Sequence, residues 1–406
     1  MRVYSRYMDA QRLEISRLFH RFGFGPRPGE YAQALADGVS TTRSRLLTVP
    51  ASDPGAAAIV EPKITDLGPR PKPNTKEIVP FAIEMRYQIQ QMVVWWLDRM
   101  AASDHGLTEK MTWFWHGHWA TSVQKLNYAM PMFVQNKTLR TYCLGNFASM
   151  TKAMLNDGAL QFWLDGQDNT VKAPNENLGR ELMELFTLGV GRYTEDDVKN
   201  ISRSLTGYQV VRSSGVVTIN QNRRDKNPVN LLGTTAVFTG DSLADFLVAR
   251  DDSAQFIAER LWYRFISSTE DMPANFSAKS AFKSREISAA VSAMVNDSVM
   301  RDEKYAMVKS PVEWFISACR ALELTPSALK TPAQMINYLE KLGQVPFSPP
   351  NVGGWPAGEA WLSSASAQYR IAFATWLIKQ SDLRVLKSLT PAQRMMQSAD
   401  WLGVAE

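Results

Sequence analysis

Very little in this chain advertises chemistry by itself. Two cysteines, Cys143 and Cys319, stand among 406 residues, and no CxxC or CxxxC pair exists. A zinc–thiolate site is thereby excluded, and each cysteine sits in an apolar helical pattern (TLRTYCLG, EWFISACRAL) that reads as a buried free thiol. Four histidines are present and GxSxG is absent, which disfavours a nucleophile hydrolase. No apolar run approaches ~18 residues, so no segment is expected to span a membrane. The opening MRVYSRYMDAQRLEIS holds no apolar signal core, which makes the expected location cytoplasmic, with export by an unrecognised route left open. Basic and acidic residues, 45 and 40 for a net +5, are mixed along the chain; without a polybasic track, nucleic acid is not an expected partner. No fixed-period repeat occurs.

What is present is a globular composition, 45% hydrophobic and 21% charged, long enough for one large core or two domains. Helix punctuation dominates. Ser310-Pro311-Val312-Glu313, Thr331-Pro332-Ala333-Gln334 and Thr390-Pro391-Ala392-Gln393 each place a cap, a first-turn proline and a reaching-back Glu or Gln. Thr194-Glu195-Asp196-Asp197 sets acids against the positive end of a helix dipole. Gly145, Gly158 and Gly189 follow apolar-periodic runs and read as stops. Residues 208–239, rich in Val, Thr and Ile, predict two or three short strands. The expected fold class is mainly α: a multi-helix, single-core, bundle-like domain with a small β excursion near 208–239. The expected organisation is an N-terminal helical segment (1–49) packed on the main body, a Pro-rich loop or linker (50–77), and a main helical domain (78–406) carrying the β insertion.

Three stretches hold candidate chemistry. The first is WFWHGHWATS, with His116 and His118 flanked by three tryptophans. In a continuous helix the two rings would lie about 200° apart, from ~100° per residue, and could not share a metal. In a strand they would share a face. If Gly117 ended the helix, His116 would sit in the last turn and His118 beyond it; this is the preferred expectation, beside the alternative of satisfied core histidines. The second is PNENLGRELMELFTLG, where Asn175 suits a cap and Leu178, Leu182, Leu185 and Phe186 share one arc. Glu176, Asn177, Arg180, Glu181 and Glu184 share the other, as a solvated salt-bridged face or as a pocket wall with carboxylates for metal or acid–base work. The third is PFSPPNVGGWPAGEAW, a rigid loop in which Asn351 ties a turn and Trp355 lines a pocket or plugs the body.

In this order the three stretches resemble a bacterial family known as domain of unknown function number eighteen hundred. FGFGP (Phe22–Pro26), RTYCLGNF, GVGRYTEDDV, LTGY and VKSPVEW carry the likeness further, across nearly the whole chain. The resemblance implies one largely helical module without an established activity. It also implies a sulfatase- or alkaline-phosphatase-like protein as partner, and members that are often exported. Its recurrent polar positions fall here on His116, His118, Asn175, Glu176, Asn177, Arg180, Glu181, Glu184, Tyr193, Asp197 and Asn351. One departure stands out: the family's His-Asp pair ahead of a Lys-Thr-x-Leu-Gly turn is replaced by Arg224-Asp225, followed by Val229-Asn230-Leu231-Leu232-Gly233.

Two classes of function follow. In the first, the chain is a metal-assisted or acid–base enzyme. His116, His118, Arg180, Glu181 and Glu184 would be its catalytic set, with His118, Glu181 and Glu184 holding a divalent zinc, manganese or iron ion. Asn175, Glu176, Asn177, Tyr193, Asn351 and Trp355 would line that pocket. A haem- or metal-dependent oxidoreductase is a weaker variant, since no haem-attachment motif occurs. In the second, the chain is a non-enzymatic binding or assembly protein that docks the sulfatase-like partner.

Overall fold

The chain is mainly helical because its apolar residues recur with helical period between well-made caps. A computed structural model describes residues 10–381 and Thr390, among which lie nineteen α-helices and two small sheets. Three helices open the fold: α1 (Ala10–Arg21), α2 (Glu30–Asp37) and α3 (Val39–Leu47). The 50–77 stretch is irregular apart from α4 (Pro54–Ala57), which Asp53 caps by accepting from the Ala56 amide. Then come α5 (Ile78–Ala102), α6 (Leu107–His118), α7 (Val123–Leu126), α8 (Ala129–Tyr142), α9 (Phe147–Leu155) and α10 (Gly158–Trp163). Gly158 starts α10 rather than ending a helix, because Asp157 ahead of it caps the Leu160 amide at 2.8 Å.

The chain continues as α11 (Asn177–Glu181), which runs into a π-helical turn (Leu182–Thr187), and α12 (Glu195–Ser204). Thr194 and Asp197 form the reciprocal cap expected at α12. The β excursion is two antiparallel hairpins, β1 (Tyr208–Val211) with β2 (Val216–Ile219), and β3 (Val229–Leu231) with β4 (Thr234–Ala236). Left-handed Leu232 and Gly233 (φ 49° and 83°) make the second turn.

The remaining helices are α13 (Gly240–Val248), α14 (Asp251–Phe265), α15 (Ser277–Ala281), α16 (Ile287–Asn296), α17 (Pro311–Ala321), α18 (Pro332–Lys341) and α19 (Ser364–Ile378). Pro311 and Pro332 occupy first turns, and the Ser310 amide donates to Glu313 at 3.1 Å. Thr331 makes no side-chain cap bond, and beyond Thr390 the third Thr-Pro device lies outside the described residues. No described helix is long and apolar enough to cross a membrane.

Two large apolar clusters meet across α6. One contains Phe114, Trp115, Trp119 and Phe147; the other contains Trp96, Trp113, Phe347 and Trp355. Both cysteines are buried and free, as the sequence indicated, and burial pushes the Cys143 thiol up to about 12. Buried guanidiniums satisfy backbone carbonyls at helix ends, where the dipole is negative. Arg21 reaches Phe265 O and Ile266 O at the end of α14, and Arg320 reaches Ala101 O and Ser103 O at the end of α5.

Glu109 joins α5, α6 and α8. It accepts from Trp96 Nε1 at 3.0 Å, Arg99 Nε at 3.1 Å and Arg140 Nε at 2.8 Å. Burial pushes its carboxyl up, but Arg140 and Arg99 outweigh that and hold it below its usual value. A depressed carboxyl stabilises the fold above the unfolded value of ~4.3 and ceases to as pH falls through the folded one. Glu109→Gln should therefore cost about 3–5 kcal/mol in denaturant titrations at pH 7. The difference from wild type should shrink below roughly pH 4.

Candidate functional site

Helix α6 does not stop at Gly117. It runs through His118, and the Trp119 amide still donates to Trp115 O at 2.8 Å. The expectation of a glycine stop is corrected on this point, and His118 does not project from irregular backbone. Gly117 serves another purpose. Gly354, at φ 81°, packs so closely that a Cβ on it would lie 2.2 Å from Gly117 O, and the loop that carries it lands on the end of α6.

Because the helix is continuous, the two imidazoles point into opposite clusters. His116 lies among Trp96, Trp113, Phe347 and Trp355, with ring centroids 5.2–6.1 Å away. Its Nε2 accepts the Phe347 amide at 3.0 Å, which assigns the proton to Nδ1. His118 lies among Phe114, Trp115, Trp119, Phe147, Phe186 and Phe256. Its Nε2 donates to Phe186 O at 3.0 Å, which leaves Nδ1 buried without a partner in the protein. Burial drives both rings down to about 3; for His118, the nearby Arg260 and Arg264 add to the effect. Both are neutral at physiological pH.

The 345–361 loop is anchored on this helix. Phe347, at φ 66°, also accepts the Val123 amide at 2.8 Å through its carbonyl. Trp355 stacks on Trp113 at 5.0 Å and lines a cavity of about 50 Å³ with Lys110, Gly117, Arg264, Ser310 and Trp361. Trp355 Nε1 and Trp361 Nε1 have no partner in the protein. Asn351 is exposed and ties its own turn, accepting the Gly353 amide at 2.9 Å.

The acidic cluster stands elsewhere on the same framework. The N-cap of α11 is Glu176 rather than Asn175, which instead accepts the Asn177 amide at 2.9 Å; Leu178, Leu182 and Phe186 of the expected apolar arc are buried, while Leu185, in the π-helical turn, is only partly so. Arg180 forks onto Glu195 at 2.7 and 2.8 Å and reaches Glu176 at 3.4 Å, all partly or fully exposed. Tyr193 donates its hydroxyl to Glu184. Burial, then the neighbouring Glu184, raises the Glu181 carboxyl above its usual range, while burial and Glu184 push Tyr193 up to about 12. Glu176, Arg180, Glu181, Glu184 and Tyr193 thus share one half-buried patch, opened at its far end by Asn175 and Asn177. Among the described residues, one hydrogen bond joins the histidines to this segment, from His118 to the Phe186 carbonyl. Among the described residues, no three His, Cys, Asp or Glu side chains are grouped to hold a metal ion. Asp225, in the family's departure position, pairs with Arg203 at 2.8 Å, and Arg224 donates to Phe238 O at 3.2 Å.

Two residues were not singled out in the sequence. Arg260 and Arg264 are one turn apart on α14, so they share a face. Arg264 donates to Trp355 O and to Pro356 O, the latter at 3.0 Å, tying the loop to α14. Among the described residues Arg260 makes no hydrogen bond or ion pair, and its Nε is buried and unpartnered. Burial and Arg264 push Arg260 down to about 10; burial also lowers Arg264. The available signal was ERLWYR: like charges at i and i+4 with no acid one turn away on that face.

A family model described as "Protein of unknown function (DUF1800)" matches residues 17–402. No curated protein and no solved structure matches.

Gly117→Ala should be tolerated or should stabilise by up to about 1 kcal/mol, since the position is helical and a Cβ meets only Trp355 at 3.9 Å. Gly354→Ala should lower the melting temperature sharply, because both its φ and its contact with Gly117 O forbid a Cβ. Thermal melts of the two variants check this pair.

Both histidines have folded values below the unfolded ~6.5, so their contribution to stability is complete above that pH and declines as pH falls toward 3. Well below 6.5 each ring should remove roughly 1.4 kcal/mol per pH unit. Urea titrations between pH 5.5 and 4 should show the two contributions added, roughly 2.8 kcal/mol per pH unit, and His116→Gln or His118→Gln should each remove about half of it.

Proposed function

The chain belongs to the DUF1800 family, whose description assigns no activity, and from that premise we propose that it binds a small anionic molecule where α6, α14, α17 and the 345–361 loop meet. One observation carries the reading: Arg260 and Arg264 stand side by side, partly buried, with no carboxylate in ion-pair contact, beside a neutral His118 whose Nδ1 is unpartnered. Desolvation and mutual repulsion both act against their charge, and an anion would relieve both. Guanidinium is suited to carboxylate and phosphate because its planar fork donates two parallel bonds. A cavity of about 50 Å³ lies against Arg264, walled also by Lys110 and by Glu313, which Lys110 pairs; Arg260 and His118 stand outside its wall, on the α14 side. Its wall draws on WFWHGHW, VKSPVEW and NVGGWP together.

A second reading, acid–base chemistry at Glu181, Glu184 and Tyr193, is favoured by the raised Glu181 carboxyl and by the π-helical turn that carries Glu184 and its bond to Tyr193. It requires no metal.

Inorganic phosphate and sulfate, titrated separately at constant ionic strength, should raise the melting temperature of the wild type. Arg260→Gln should weaken that response about 10–100-fold, the value of a charge-assisted bond, whereas exposed Arg86→Gln should leave it intact. Equal responses of wild type and Arg260→Gln would sink the proposal. Glu181→Gln should not change the anion response; if it does, the two clusters form one site and the acid–base reading gains.

A further inference from the structure

The FGFGP stretch takes no part in the site just described, yet it walls a sizeable cavity of its own. About 430 Å³ lies between α1, the start of α2, α3 and the α5–α6 turn, lined by Leu18, Phe19, Phe22, Phe24 and Leu46. That volume falls in the range of small-molecule sites, roughly 300–1,000 Å³. Glycines open it. Gly29, at φ 87°, has nothing within 4 Å of where a Cβ would stand, and Gly23 and Gly106 bring their backbones together, with a Cβ on Gly106 only 3.0 Å from Gly23 Cα. The mouth is marked by exposed Gln33, Arg45 and Asp104.

The charges at this cavity are already matched. Glu30 meets Arg320 at 3.3 Å, Asp104 meets Arg27 at 2.6 Å, and Arg45 meets Asp37 at 2.7 Å. No spare charge is left to hold an ion, which separates this cavity from the Arg260 region. One polar atom is left over. His105 Nε2 lies 3.2 Å from Arg45 O, and a carbonyl only accepts, so Nε2 carries the proton. Nδ1 is then the ring's acceptor, shielded from solvent and without a partner.

We propose that this cavity binds an uncharged, mainly aromatic or aliphatic molecule with one N–H or O–H that donates to His105 Nδ1. Apolar surface supplies the affinity, and the single acceptor orients the ligand.

N-phenyl-1-naphthylamine, which is uncharged and carries one N–H, is a direct probe; 1-phenylnaphthalene is its analogue without a donor. Fluorescence titration of the full chain should show saturable binding near one per chain. Leu46→Trp, at a partly exposed position that fills the cavity, should weaken it at least about tenfold with the melting temperature kept. His105→Phe should weaken the amine about three- to tenfold, as for one hydrogen bond, and leave the hydrocarbon unchanged. No saturable binding to the wild type would overturn the proposal. So would undiminished binding to folded Leu46→Trp, or a His105→Phe effect equal for the two probes.

Discussion

A helix with aromatic rings on every side has to be covered on every side, and Leu107–His118 is that helix. All but Thr108 of its twelve residues are buried. It can sit there only if its polar atoms are also satisfied, and the solution is specific. The carboxylate of Glu109 is matched by two guanidiniums and an indole. Lys110 meets Glu313. Each imidazole spends one ring nitrogen on the backbone of a different segment: His116 on the Phe347 amide, His118 on the Phe186 carbonyl. These bonds pull the 345–361 loop and the π-helical turn onto opposite faces of one helix. The opposite tautomers follow, since one ring must accept and the other donate.

The same economy explains why Arg260 is conspicuous. Elsewhere the partly or fully buried guanidiniums have defined partners. Arg17 holds Met300 O and Asp302 O, Arg320 holds Gly25 O, and Arg140 is shared between Glu109 and Asn136. Arg264 holds the loop at Trp355 and Pro356. Against that background a second guanidinium on the same face, without a bond and with a like charge beside it, is a local conflict. Such conflicts concentrate where a protein binds something.

The acidic patch is of another kind. Arg180, Glu176 and Glu195 form an exposed network of small energetic weight. Glu181 and Glu184 differ: Glu181 ends α11, Glu184 lies in the π-helical turn that follows, both are half-buried, and Glu184 adds to burial in raising the Glu181 carboxyl. That arrangement suits proton transfer better than metal ligation, for which a third convergent ligand is missing among the described residues.

The local grammar was legible in the sequence. Helix starts at Thr194 and Ser310, the stop at Gly189, the β excursion, the burial of Leu178, Leu182 and Phe186, and the inert cysteines all depend on near neighbours in the chain. Membership of the family was legible from motif order. Even the 200° separation of His116 and His118 followed from helical geometry once the helix was continuous. That continuity was not legible, because Gly117 is compatible with either a stop or a close packing site, and the choice rests on Gly354, more than 200 residues away. The tautomers, the isolation of Arg260 and the cavity beneath FGFGP were likewise decided only in three dimensions. Each depends on which distant backbone or charge arrives beside it, and burial then magnifies the presence or absence of that partner.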